Sequence, residues 1–332
     1  MKRGVFLLVM FVLPFLLSAA EYSQGNIKLV LWEKSGRFSL YSKSDNSGYE
    51  ALFYDQDPRT SYISVLLNDR AYKLGDSLSF KISTGSNPDR PSFVFESAQL
   101  LVTEEFSFIK TASSRVVNGI SIKITVENKS ASDINAGFRF VLDTTLGEKG
   151  SSPHFYIDNL PVNSETLTRR SDNAVCWVSK NSSLSLMGSI TLPQNLGPDS
   201  VQFANWKRLN DVTWKLPYEN GRNFNSPPYS IGDSAVSYYY EPRGYASNES
   251  YSALIFLAME DSRGFILNPN QLQLETAAAD QEGRDMVMIS DLINRIDNYI
   301  ESGNISEDEL NAMEQTLQRL QLKYGISSGT TR

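Results

Sequence analysis

The chain has 332 residues, and its 31 Lys and Arg stand against 38 Asp and Glu for a net charge of −7. The basic residues are scattered rather than gathered in a stripe, which excludes nucleic acid as a partner, because that binding displaces counterions with clustered cations. One cysteine, Cys176, and one histidine, His154, exclude an intramolecular disulfide and a His/Cys zinc cluster.

Residues 1–20 read as an export signal. Lys2 and Arg3 form a basic start, residues 6–17 an apolar run, and Ser18-Ala-Ala20 a small-residue cleavage site before Glu21. The run falls short of the roughly twenty residues that span a bilayer, and no later segment reaches that length. The expectation is an exported protein in the periplasm or at the surface of a bacterium, with no transmembrane segment after cleavage. Lys2 and Arg3 are the only charges of the leader, so its removal takes the net charge to about −9.

Residues 21–270 alternate apolar and polar side chains over short runs bounded by Gly, Pro, Asn, Asp and Ser. That period of two predicts strands at 27–32, 38–41, 62–67, 92–95, 100–103, 120–127, 136–143, 184–190, 235–240 and 253–259. In 120–126, Ile120, Ile122, Ile124 and Val126 share one face, with Ser121, Lys123 and Thr125 opposite. Asn128 to Asp133 supply turn residues, after which Phe138, Phe140 and Leu142 share a face, so the two segments read as a strand, turn, strand unit within one sheet. Ala174-Val-Cys-Trp-Val178 reads as a buried strand holding an inert thiol. The fold expected is mainly β, a large antiparallel β-sandwich of the supersandwich kind, followed by a C-terminal α-helical hairpin.

The hairpin is expected in 285–325, after a connector at 271–284 and before a disordered tail at 326–332. Met288, Ile289, Leu292, Ile293, Ile296, Tyr299 and Ile300 recur at helical spacing up to Gly303. Ser306-Glu-Asp-Glu309 then forms a capping box, and Leu310, Met313, Leu317, Leu320 and Tyr324 continue the stripe. Such short helices cannot bury their apolar stripe alone. Leu310, Met313, Leu317, Leu320, Ile293 and Ile296 are therefore the expected interface, toward the chain's own sandwich, a second copy or an envelope protein.

Residues that could carry chemistry are few. His154 stands in Ser151-Ser-Pro-His-Phe155, a turn without a nucleophile elbow, and reads as a loop-packing histidine. Calcium takes oxygen ligands, which Asp143, Glu148 and Asp158 offer, but without a spaced aspartate loop Asp143 reads as a turn-shaping residue. No cofactor, metal ligand set or catalytic residue is assigned. Glu104, Glu105, Asp143, Glu148, Asp211 and Asp233 are available for two-carboxylate glycoside chemistry, yet nothing in the sequence joins them. Aromatic residues concentrate in 175–245 among asparagines, and flat rings beside amides suit sugar recognition. Trp206, Trp214, Tyr238, Tyr240 and Asn205 are the candidate ligand-binding residues, with strand packing as the competing role for the tyrosines.

Three blocks carry a family resemblance: Gly137-Phe-Arg-Phe-Val-Leu-Asp-Thr-Thr-Leu-Gly147 with Asn128, then Phe203-Ala-Asn-Trp206, then Gly232-Asp-Ser-Ala-Val-Ser-Tyr-Tyr-Tyr-Glu-Pro242. Together they resemble a β-sandwich module of bacterial cell-envelope proteins. The stretches Gly36-Arg-Phe-Ser-Leu-Tyr41 and Asp57-Pro-Arg-Thr60 are similar to spirochaete envelope proteins. The resemblance implies an extracytoplasmic sandwich and brings no catalytic residues with it. The function expected is therefore a non-enzymatic structural or interaction module. The alternative is binding of carbohydrate or peptidoglycan through 175–245, and the third reading is a glycoside hydrolase or lyase.

Overall fold

In the computed structural model the residues described are 19–44, 48–85, 87–148, 153–192, 196–261, 310, 313 and 314. In chain order the strands are β1 (Ala19–Gln24), β2 (Ile27–Trp32), β3 (Arg37–Ser44), β4 (Gly48–Ala51), β5 (Tyr62–Leu67), β6 (Arg70–Lys73), β7 (Lys81–Thr84), β8 (Ser92–Glu96), β9 (Leu100–Ile109) and β10 (Gly119–Asn128). They continue with β11 (Ile134–Thr144), β12 (Phe155–Ile157), β13 (Leu160–Val162), β14 (Thr166–Arg169), β15 (Cys176–Lys180), β16 (Ser185–Ser189), β17 (Ser200–Asn205), β18 (Ser234–Tyr245) and β19 (Ser250–Ala258). One short α-helix, α1 (Trp206–Asp211), follows β17 directly.

All pairings are antiparallel and form three sheets. A nine-stranded sheet runs β13-β12-β15-β16-β19-β10-β9-β8-β7, a six-stranded sheet runs β14-β17-β18-β11-β5-β6, and β1 to β4 form a four-stranded meander. The period-two pattern explains why they stack. Ile120, Ile122, Ile124 and Val126 of β10 are fully buried, as are Phe138 and Leu142 of β11, and both rows belong to one core. Aromatic rings join the layers: Phe38 of the meander packs edge-on against Phe106 of β9 at 5.0 Å and is stacked on Phe140 of β11 at 6.2 Å. Each such side chain contributes roughly 1.5–3 kcal/mol on leaving water.

The strands β10 and β11 do not pair with one another, which corrects the strand, turn, strand reading. β10 lies between β9 and β19, whereas β11 lies between β5 and β18, so residues 129–133 carry the chain from one sheet to the other. Asn128 secures that crossing, because its side-chain amide donates to the carbonyls of Ser132, Tyr245 and Ala246. Turn residues mark that a strand ends, and the sheet that the next strand joins is decided by distant partners. Gly137 has its own reason. The register shifts between Ala136 and Phe138, and a Cβ at Gly137 would come within 2.7 Å of the Tyr240 carbonyl, so the bulge there excludes a side chain.

Tyr238 and Tyr240 are 0% and 1% exposed, which withdraws them from the ligand-binding set. Tyr238 accepts a 2.6 Å hydrogen bond from Trp177 Nε1 across the sandwich, and Tyr240 is stacked on Phe138 at 4.2 Å. Leu310, helical and exposed, and Met313, helical and half-buried, are described. Ile293, Ile296, Leu317 and Leu320 lie outside the described residues, as do the connector, the tail and the pairing of the two helices. Among the described residues no helix is long and apolar enough to cross a membrane.

Candidate carboxylate site

The outer face of the six-stranded sheet carries the polar chemistry. Along β11, Arg139, Val141 and Asp143 point away from the main core, and Val141 joins Tyr62, Ala204, Leu209, Leu216 and Ala235 in a small second cluster beneath α1. The helix is held there by Asn205, whose side-chain oxygen caps it by accepting from Arg208 N–H at 3.2 Å. The amide of the same residue donates to the carbonyls of Phe224 and Asp233 and to Ser230 Oγ. Asn205 is fully buried, so its expected role as a direct ligand contact gives way to fixing the loop 224–233 against the helix.

Three carboxylates meet where that loop reaches the end of β11. The side chains of Asp143, Glu148 and Asp233 place oxygens within 4.8 Å of one another. Each is set by local chemistry. The Asp143 backbone N–H donates to Ser61 Oγ at 3.0 Å and its carbonyl accepts from Tyr54 N–H at 3.0 Å. Glu148, just past the strand, accepts from both the backbone N–H and the hydroxyl of Ser234, at 2.7 and 3.1 Å. Asp233 follows Gly232, whose φ of 68° turns the loop into β18 and is costly for a side-chain-bearing residue. The Asp233 carbonyl accepts from Trp206 N–H at 3.2 Å.

The carboxyls are not ordinary acids. Burial, opposed by the Thr60 side chain and reinforced by the charges of Asp233 and Glu148, pushes Asp143 up to about 8. Burial also raises Asp233, against a hydrogen bond from Ser230. Like charges this close resist ionising together. The shift favours the protonated form of Asp143 beside Glu148, a pairing of the kind that general acid–base chemistry uses. The same three oxygens suit a hard cation such as calcium in kind. Asp158, the third expected calcium ligand, is elsewhere: it accepts from Val175 and Cys176 N–H in the turn before β13.

The rim supplies rings. Trp206, half-buried, donates from Nε1 to the Thr60 carbonyl at 2.9 Å, next to the carboxylates. Tyr229 and Ile231 stand 76% and 81% exposed in the loop that leads into Asp233. His154 lines the loop from behind. Its ring packs on Phe224 at 4.6 Å and its Nε2 lies 3.2 Å from the Gly232 carbonyl, while burial lowers its pKa. Trp214 is further along the face, edge-on to Tyr239 at 6.3 Å, with its carbonyl accepting from Arg139. Sequence reasoning held every carboxylate of the cluster but could not join them, because residues 143 and 233 become neighbours only through the β11–β18 ladder, in which Asp143 faces Ala235. Tyr229 was missed altogether, although its position after Pro227-Pro228 in a turn already marked it as surface.

No family model and no curated protein matches the sequence. Among solved structures the fold is similar to a galactose mutarotase-like protein from Lactobacillus casei, at TM-score 0.45 and 10% identity over 73% of this chain and 100% of that one. It is also similar to an aldose epimerase homologue from C. elegans, at TM-score 0.43 and 7% identity over 73% and 99% of the two chains. A polysaccharide lyase matches at TM-score 0.42 and 10% identity over 76% of this chain and 34% of that one. The expectation of a non-enzymatic structural module is corrected on the chain's own residues: the fold joins Asp143, Glu148 and Asp233 into one carboxylate group, which the sequence had left as separate acids.

Proposed function

We propose that the protein is an exported carbohydrate-processing enzyme that binds a saccharide over Trp206 and Tyr229 and transfers protons through Asp143, Glu148 and Asp233. The observation that carries the reading is the meeting of three carboxyl groups within 4.8 Å, one of them pushed up to about 8 by burial, beside the half-buried Trp206. The spacing narrows the chemistry. Inverting glycosidases hold their carboxyls roughly 6.5–9.5 Å apart and retaining ones roughly 5–5.5 Å, whereas oxygens of all three carboxyls here come within 4.8 Å. Oxygens this close serve neighbouring atoms of one substrate, as the hydroxyl and ring oxygen on the anomeric carbon are. Glu148 or Asp233 takes the proton of the anomeric hydroxyl while Asp143 gives its proton to the ring oxygen. The carbon–ring oxygen bond then breaks to an open aldehyde, and reversal of the steps on the other face closes the ring with no net change in protons.

Export to the periplasm or cell surface is part of the proposal, supported by the basic, apolar and small-residue order of 1–20 and by the resemblance to envelope modules. The test is polarimetry or NMR of freshly dissolved aldoses with the purified mature protein, together with reducing-end assays on envelope polysaccharides. Accelerated anomer exchange that is lost in Asp143→Asn is the expected result. Saccharide binding with no turnover of either kind, unchanged in Asp143→Asn, would leave a binding protein and overturn the catalytic reading.

A further inference from the structure

The far end of α1 from the carboxylates closes a cavity of about 210 Å³, lined by Tyr62, Ser64, Lys73, Arg139, Asn210 and Thr213 among others. At about 30 Å³ per water it holds some seven waters, the scale of a single sugar residue rather than a chain. Two cations meet there. Arg139 is 1% exposed, and its guanidinium donates only to neutral groups: the carbonyls of Leu209 and Trp214 and the hydroxyl of Tyr62. Its Nε is buried and makes no hydrogen bond, and among the described residues no carboxylate lies in ion-pair contact with it.

Lys73 sits opposite, with Nζ 3.8 Å above the Tyr62 ring and 3.3 Å from Asn210 Oδ1. Among the described residues its ion-pair partner is Asp76 at 3.5 Å, which is shared with Arg37. Asp211 also lines the cavity, but its carboxylate is engaged by Lys207. The lining thus carries two cations, Arg139 and Lys73, against one carboxylate, Asp211, which leaves one positive charge in excess, with Arg139 fully buried and Lys73 partly exposed. A buried charge without a counter-charge is costly, and a ligand that supplies one recovers that cost.

We infer that this cavity is a subsite for a carboxylate-bearing sugar, a uronic acid residue, with Arg139 and Lys73 holding the carboxylate and Ser64, Asn210 and Thr213 meeting hydroxyls. One excess charge matches a singly charged carboxylate better than a doubly charged phosphate, and a planar guanidinium suits its geometry. The inference rests on the saccharide reading for the carrier of the carboxylate, and it requires no turnover.

Titration calorimetry with sodium glucuronate, glucose and inorganic phosphate tests it. Arg139 ties three groups together, so its removal risks the fold, and two rim variants carry the test. Lys73→Gln removes a charge, and Asn210→Asp sets a carboxylate beside Lys73. Glucuronate is expected to bind at least tenfold tighter than glucose, and both variants are expected to lose that preference while melting normally. Equal binding of glucose and glucuronate overturns the subsite and leaves the carboxylate enzyme standing. Phosphate binding tighter than glucuronate, with the same dependence on Lys73, overturns the choice of a uronate. Loss of aldose turnover in Asp143→Asn with glucuronate preference intact separates the two sites.

Discussion

Two buried carboxyls, Asp143 and Glu104, are both pushed up to about 8, and they do opposite things with it. Glu104 lies on the inward face of β9 between Phe93 and Ile124, 2% exposed, with its Oε1 making no hydrogen bond and only the field of Arg37 to favour its charge. No substrate reaches it. Asp143 is nearly as buried, yet it stands at a strand end with two more carboxyls within 4.8 Å and with Trp206 held to the neighbouring Thr60 carbonyl. A shifted pKa by itself thus marks burial, and the company a group keeps decides whether the shift is chemistry.

The largest effect expected is on turnover. Asp143→Asn keeps the size of the side chain and removes the proton donor, so the rate of aldose interconversion should fall by roughly 10²–10⁴-fold. Glu104→Gln should leave the rate unchanged. Steady-state rates for the two variants measure the contrast, and equal losses would erase the distinction.

Next in size is the pH dependence of stability. Both groups have folded values of about 8, above their ordinary 3.8 and 4.5, so between those limits the folded chain binds more protons than the unfolded one. The stability these two groups contribute is fully present below about pH 4, declines as pH rises toward 8 and is lost above it. Each group contributes up to about 1.4 kcal/mol per pH unit of that slope. Urea unfolding from pH 5 to 8 should show Glu104→Gln and Asp143→Asn each flattening the curve by about one proton. The two effects should add in the double variant, because the groups share no partner. A slope that neither variant flattens would refute both assignments.

What the sequence revealed and what it hid follow the range of the forces. Period-two runs such as 27–32 and 62–67 coincide with β2 and β5, since burial of one face is written into adjacent residues. β12, β13 and β14 were missed because three or four residues are too few to show a period, and they exist through ladders with strands formed elsewhere. α1 was missed for a related reason. It is one and a half turns held by the Asn205 cap and by Leu209 on the sheet, with no repeat to read. The site was legible in its parts and illegible in its assembly. Asp143, Glu148 and Asp233 span ninety residues, and strand order, which depends on long-range pairing, brings them together. The tyrosine run misled because density of rings was read without facing: all three of Tyr238, Tyr239 and Tyr240 are buried, one outward face being covered by α1 and its following loop.

Tyrosines at the two depths extend the comparison. Tyr238→Phe removes the acceptor for Trp177 Nε1 and strands a buried indole N–H, which should cost roughly 1–3 kcal/mol of stability. Saccharide affinity should stay the same in that variant. A loss of affinity without a loss of stability would return Tyr238 to the binding set against its burial.

Tyr229 should behave in the reverse way. Its ring is exposed in the loop ahead of Asp233, and its charged neighbour is Lys207, with Nζ 5.5 Å from the ring centre. Removing it deletes little packing, so Tyr229→Ala should leave the melting curve within about 0.5 kcal/mol of the parent. If the ring is a platform for a sugar face, the stacking lost is on the order of 1 kcal/mol, which reads as a roughly fivefold weaker saccharide affinity with the rate at saturation unchanged. A fall in that rate as well would mean that the loop positions Asp233 rather than the substrate, because Asp233 lies four residues on and its backbone is held through the same loop by Asn205. Tyr229→Phe then distinguishes the two roles: a platform keeps its affinity with phenylalanine, whereas a hydrogen-bonding contact to the sugar does not.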